Sequence, residues 1–161
     1  MPKRSVGSIT LPLLDRLEDA DPKRQEETPP SRSEALAALK KAVQRDLEWL
    51  LNTRRADRPL PPETTRSVFT YGLPERSPDF EDRNEMLQEL ARRMEIAIKT
   101  FEPRIAGVKV MLSPDQDASS RRIDLVIEGL LRIDPSPEHV SFDTSLELAS
   151  GEYHVKGEAG A

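Results

Sequence analysis

The sequence predicts an α+β domain: two main helices packed on one face of a mainly antiparallel sheet of about four strands, with a flexible N-terminal tail. Three observations lead there. Two long stretches repeat apolar residues every three or four positions, the period of a helix with one buried face. After them the period falls to two, that of a strand whose alternate side chains face opposite ways. The change occurs at Phe101-Glu102-Pro103-Arg104-Ile105, and helices first with strands after argue for helices gathered on one face of the sheet.

The first element is short. Leu13, Leu14 and Leu17 form one face of a helix starting near Pro12, a good first-turn residue. A segment this short is marginal alone in water, so it docks either on its own domain or on another chain. Pro22 to Pro30 is polar and proline-bearing, the composition of an extended linker. The first long helix begins at Ser31. Ser31-Arg32-Ser33-Glu34 has the capping-box spacing, in which hydroxyl and carboxylate each satisfy an orphan N–H. Leu36, Leu39, Val43, Leu47 and Leu50 trace its apolar face, which Trp49 and Leu51 widen. It ends at Asn52-Thr53-Arg54-Arg55, where two arginines suit the negative end of a helix as a solvated cap; a partner contact is the other reading of that pair.

Asp57 to Thr65, with Pro59, Pro61 and Pro62, is expected as a loop. Ser67 to Pro74 follows as a short extended piece packed on the core, with Gly72 permitting a turn; a binding surface at Tyr71 to Pro74 is the alternative. Ser77-Pro78 or Asp82 caps the second helix, which carries Leu87, Leu90, Met94, Ile98 and Phe101 on one face and runs to about Thr100. Glu89 and Arg93 stand four apart and can pair across a turn. Pro103 ends the helix, because its ring disfavours a helical Glu102 and it has no N–H to give. Glu102 then faces the partial negative charge of the helix end, and Arg104 is placed to offset it. The pair is either an internal ion pair around a bend or a charged pair offered to another chain. Strands are expected at 107–112, 122–131, 140–148 and 153–156. Short connections between them favour antiparallel pairing.

Composition narrows the function. Of 161 residues, 36% are hydrophobic and 33% charged, a balance shifted toward solvent; part of the chain is expected outside a core that lies between Leu36 and Val155. The net charge of −5 with few aromatic residues argues against a nucleic-acid partner. No cysteine is present, which excludes disulfides and thiol catalysis and allows a reducing compartment. No apolar run is long enough for direct membrane insertion, and Ile9 to Leu14 is too short for a signal-peptide core; the expected location is cytoplasmic. His139 and His154 lie far apart, so no zinc spacing is seen. Asp115, Asp117, Ser119 and Ser120 lack the glycine and closing glutamate of a calcium loop. Phosphate-loop, dinucleotide and nucleophile-elbow signatures are also missing. No cofactor, metal or catalytic residue is expected. The remaining enzymatic alternative is a small carboxylate-dependent glycosidase using Glu102 with Asp143 or Asp124.

Word order goes further than composition. Leu13-Leu14-Asp15-Arg16-Leu17, Arg45 through Arg55, Ser67-Val68, Tyr71-Gly72-Leu73-Pro74, Phe101 through Ile105, Phe142-Asp143-Thr144 and Gly151-Glu152-Tyr153 occur in the order found in the TssE family. The chain resembles that family, a baseplate subunit of the bacterial type VI secretion system, related to the lysozyme-like wedge protein of contractile phage tail baseplates. Glu75 and Ile105 are small departures from it.

The resemblance implies a non-enzymatic structural subunit that joins the wedge and serves as platform for polymerisation of the contractile sheath. Its implied partners are the other wedge subunits, of TssF, TssG and TssK types, and the sheath protein. The implied partner-binding residues are Glu102, Pro103 and Arg104, with Leu13, Leu14 and Leu17 in the tail. The division expected is a tail with a short partner-binding helix and linker over 1–30, a wedge domain over 31–156 and a disordered C-terminus over 157–161. On this reading Arg104→Ala leaves the domain folded and stops sheath assembly. A regulatory adaptor of related fold is a further alternative.

Overall fold

In a computed structural model, the structure describes residues 9–10, 12–17, 30–55, 61–75, 82–114 and 120–157. The expected linker from Pro22 up to residue 29, the alternative cap Ser77-Pro78, the residues Asp115, Asp117 and Ser119 and the C-terminal residues 158–161 lie outside the described residues. The elements run α1 (Leu13–Leu17), α2 (Arg32–Asn52), β1 (Arg54–Arg55), β2 (Leu73–Pro74), α3 (Arg83–Phe101), β3 (Ile105–Leu112), β4 (Arg122–Leu131), β5 (Glu138–Glu147) and β6 (Tyr153–Gly157). Two 3₁₀ turns, Pro62–Thr64 and Val68–Thr70, precede β2.

The long helices start where their caps place them. Ser31 Oγ accepts from the Glu34 N–H at 3.3 Å, and Glu34 Oε2 accepts from the Ser31 N–H at 2.7 Å, the reciprocal arrangement expected from the sequence. Asp82 Oδ1 accepts from the Asn84 N–H at 2.9 Å and opens α3. On α2, Leu39, Val43, Leu47 and Leu50 are buried, joined by Leu51 and two alanines, while Leu36 is only partly covered. Trp49 is a correction: it is 52% exposed, with the Arg45 guanidinium 5.0 Å from its ring centroid. On α3, Leu87, Leu90, Met94 and Ile98 are buried as the period requires. Glu89 takes Arg93 at 2.8 Å and also Arg92 at 2.7 Å.

Between the helices the structure departs from expectation. Arg54 and Arg55 are not a simple cap. They form β1, which pairs in parallel with Leu73 and Pro74. Gly72 has φ +103°, and the Leu73 N–H donates to the Thr53 carbonyl at 2.9 Å. The segment before β2 is 3₁₀ rather than extended. Its Thr70 hydroxyl is buried among the carbonyls of Thr64, Thr65 and Ser67. That inward turn leaves Val68 91% and Phe69 65% exposed; only Thr70 through Leu73 pack. Tyr71 meets Phe101 edge to face, with ring centroids 5.2 Å apart.

The main sheet is an antiparallel meander in the order β3-β4-β5-β6. Alternation puts Val108, Val110, Ile123, Leu125, Ile127, Val140, Phe142, Leu146, Tyr153 and Val155 on the face covered by α2 and α3. The opposite face carries mostly polar residues, as one-sided antiparallel sheets do. The strands match those expected, β3 and β5 beginning two residues earlier, β5 ending one residue earlier, at Glu147, and β6 ending one residue later, at Gly157.

Helix side chains trim the sheet margins. On β6, the Asn52 amide accepts from the Tyr153 N–H and donates to its carbonyl, both at 2.8 Å. One turn and two turns back along α2, Glu48 accepts from the Val155 N–H at 3.4 Å and Gln44 donates to the Val155 carbonyl at 2.8 Å. These three side chains occupy the place of a neighbouring strand. On β3, the Val110 N–H faces the Glu95 carboxylate of α3, whose pKa is lowered first by its Lys99 partner and also by this amide. Asn52→Ala unpairs both Tyr153 groups, and leaving buried polar groups unpaired costs about 1–3 kcal/mol. Urea unfolding gives the loss, and faster amide exchange at Tyr153 than at β4 identifies its place.

Candidate functional site

The bend after α3 is built by its own backbone. The Glu102 N–H makes the last helical bond, to the Ile98 carbonyl at 2.8 Å. Pro103 follows, and the Ile105 N–H returns to the Glu102 carbonyl at 3.2 Å. The Arg104 carbonyl then accepts from the Arg132 N–H at 2.8 Å, which ties the bend to the end of β4.

That backbone fixes a chain of charges. Glu102 is only 4% exposed. Arg104 covers it, donating from Nε to Oε1 at 2.5 Å and from Nη2 to Oε2. The same Nη2 donates to Asp46 Oδ2 on α2 at 2.6 Å. Asp46 Oδ1 accepts from Arg45 Nε and Nη2 at 3.1 and 3.0 Å. Arg45 grips Asp15 of α1 with two bonds, of 2.6 and 3.2 Å. So Glu102, Arg104, Asp46, Arg45 and Asp15 alternate in sign from the buried bend to the outer helix. Each carboxylate has a guanidinium and each guanidinium two carboxylates, the geometry that makes Arg pairs strong. Burial works against the Arg104 charge, but the bonds it donates to Glu102 and Asp46 outweigh it and raise its pKa above the ordinary arginine value. The Arg45 pKa is raised in the same sense, chiefly by Asp15.

Of the six residues expected to bind partners, Glu102 and Arg104 are brought together as an internal pair, and Pro103 is exposed beside them. An open cleft of about 460 Å³ adjoins the triplet, lined also by Thr10, Pro12, Asp46, Tyr71 and Phe101. Burial, then the charges of Asp46 and Glu102, raise the Tyr71 pKa, so its hydroxyl remains a donor on the cleft wall. Leu13, Leu14 and Leu17 are 68%, 53% and 73% exposed. They face away from the domain, while the polar side of α1 is tethered through Asp15. Of the two docking modes open to this helix, the structure places its polar side on the domain and leaves its leucines outward. Asp46, Arg45 and Asp15 are the members missed from sequence, although each lies inside a motif block that carried the resemblance.

The tether is pH-sensitive. The bond from Arg45 holds the Asp15 carboxyl below the usual aspartate range, against a smaller opposing effect of burial. A carboxylate whose pKa is lowered by folding contributes above its unfolded value of about 3.9 and loses that contribution as pH falls through the lowered one. The α1 tether is therefore complete at neutral pH and released in acid. Asp15→Asn mimics the release at neutral pH. The expected cost to the whole domain is below about 1 kcal/mol, while the NMR amide shifts of Leu13–Leu17 move to coil values.

Elsewhere the β5–β6 hairpin brings the ligand atoms of Glu147, Glu152 and His154 within 4.8 Å of one another. All three are exposed, and exposed acidic groups meet this way without an ion. The glycosidase pairing fares worse. Asp124 and Asp143 alternate onto the open face of the sheet, whereas Glu102 is buried on the helix side. The sheet stands between the carboxyls that would have to flank one bond.

A family model described as baseplate wedge protein gp25 matches residues 37–136. The chain belongs to that family. As a gp25-family protein it is a structural baseplate wedge-type chain, and the family's partners are other baseplate components. The match spans most of α2, the Glu102-Pro103-Arg104 bend, β3 and β4, and so includes Arg45 and Asp46; α1 and its three leucines precede it. No curated protein and no solved structure matches the chain. Among the described residues of this gp25-family chain, no helix is long and apolar enough to cross a membrane.

Proposed function

We propose that the chain is a TssE-type subunit of a type VI secretion baseplate, working in the cytoplasm and without catalysis. It joins wedge subunits of TssF, TssG and TssK types and offers the contractile sheath its first platform. The observation that carries this reading is the charge relay: one line of ion pairs couples the signature bend to a helix whose apolar side is unused. In this reading residues 1–30 reach for a neighbouring subunit, 31–156 form the wedge domain, and the bend contacts the wedge core through Pro103 and the adjoining cleft. Among the described residues one helix side chain faces the backbone margin of β3 and three hold that of β6, so sheath strands have less to displace at β3.

The test is co-purification from the native host followed by mass spectrometry, comparing the tagged chain with Leu13→Ser/Leu14→Ser/Leu17→Ser. Those leucines are exposed, so the triple variant keeps its fold. Wild type should bring wedge and sheath subunits, and the variant should lose at least one wedge subunit. Wild type bringing no tail component overturns the baseplate assignment. Both chains bringing the same set removes the helix from the interface.

A further inference from the structure

A second cleft, of about 490 Å³, lies between the 3₁₀ turns, β1 and α3, on the other side of Phe101, which lines both clefts. Among the described residues, three guanidinium groups, Arg55, Arg92 and Arg93, line it, against one carboxylate, Glu89. A surplus of two positive charges is therefore concentrated in one recess of a chain whose net charge is −5. Glu89 does not exhaust these donors. It accepts from Arg92 Nε and Nη2 and from Arg93 Nε, while each guanidinium offers five N–H groups. The excess positive charge is felt by Glu89, whose carboxyl the bonds from Arg92 and then Arg93 hold down at about 2.

Arg55 adds an independent observation. Its Nε is shut off from solvent and has no hydrogen-bond partner among the described residues. β1 fixes the backbone of Arg55 against Pro74, and the side chain lines the cleft. A buried donor without an acceptor is destabilising, a cost that a carboxylate entering the cleft would remove. Pro61, Pro74, Ile96, Ala97 and Phe101 give the lining an apolar part, beside Thr64, Thr65, Thr70 and Thr100. Ile96 is half exposed there.

We infer that this cleft is a docking site for an acidic segment of a partner protein, with a carboxylate on the arginines and an aromatic or aliphatic side chain against the Ile96–Phe101 wall. Charge complementarity identifies the occupant: Arg forks favour planar carboxylates, and the net-negative body of the chain repels acidic segments elsewhere. The inference does not depend on the baseplate reading.

The test is an NMR titration of the full ¹⁵N-labelled chain, following the arginine Nε–H resonances. The probe is the peptide acetyl-Asp-Glu-Phe-Asp-Glu-amide, and its control is acetyl-Asn-Gln-Phe-Asn-Gln-amide. The acidic peptide should shift the Arg55 Nε–H saturably, with affinity at least about tenfold above the control. Arg92→Gln/Arg93→Gln, on the helix surface, should cut that affinity by about tenfold with the remaining spectrum unchanged. Salt at 1 M, where the Debye length is about 3 Å, should weaken it further. A shift that is absent, equal for both peptides, or indifferent to the double variant overturns the proposal. So does concentration-dependent self-association through these arginines in the absence of peptide.

Discussion

Arg104→Ala should destabilise the domain by about 3 kcal/mol, the scale of breaking a buried ion pair from one side. Glu102 is almost wholly buried at a helix C-terminus, where its charge is already disfavoured. Its Oε2 depends on the Arg104 guanidinium, and without it Oε1 keeps only the long 3.3 Å bond from the Arg104 N–H. Without that group the buried carboxylate must draw water into the bend or break the end of α3. Asp46 loses one partner but keeps Arg45, so the damage centres on Glu102. Arg104→Lys keeps a charge and loses the fork, and should fall between the two. Glu102→Leu/Arg104→Leu removes both charges and should recover much of the loss. Urea unfolding of the four proteins decides it. A loss under about 1 kcal/mol for Arg104→Ala means Glu102 is not held by this pair. Loss of assembly in Arg104→Ala thus combines a contact effect with a folding effect, so the reading that this variant simply stays folded must include the buried carboxylate.

Gly72→Ala should cost about 3–4 kcal/mol, the sum of backbone strain and steric overlap. At φ +103° a side chain is strained in itself, and the added Cβ would stand 2.4 Å from the Thr53 carbonyl oxygen and 2.8 Å from its carbon. These are backbone atoms, and the same carbonyl receives the Leu73 N–H, so relief requires opening the β1–β2 pairing. Gly107 is the control. Its φ is +62°, and a Cβ there meets nothing within 4 Å, so Gly107→Ala should cost only the backbone share of about 1–2 kcal/mol. Thermal unfolding of both variants separates the effects; equal losses would remove the Thr53 overlap from the account.

Local signals carried well from sequence to structure. Ser31 with Glu34, Asp82, and the stop before Pro103 each act within a few residues, and each marks the boundary it suggested. Periodicity located the buried faces of both helices and all four main strands. What escaped depends on distant encounters. Arg54 and Arg55 become a strand only because Leu73 arrives beside them. Trp49 reads as apolar, but Arg45 on the same helix provides a cover that leaves it at the surface. Val68 and Phe69 have strand propensity, yet the Thr70 hydroxyl turns the chain inward and them outward. Asp46 looks like any polar position on an amphipathic helix. Its importance comes from Arg104, which is 58 positions further along, and no local pattern connects the two. The Glu102–Arg104 pair was readable as a pair; its extension to Asp15 was not.

The trimmed sheet margins govern how such a chain behaves before it is used. Open strand edges polymerise by mass action, so a subunit that carried them bare would aggregate as its concentration rose. Here Gln44, Glu48 and Asn52 already hold the β6 groups, and Glu95 faces β3. At β6, addition of a strand must first exchange bonds with these helix side chains, so accumulation alone gives no growth at that margin. At that margin a strand able to displace them, rather than concentration, decides whether the sheet is extended.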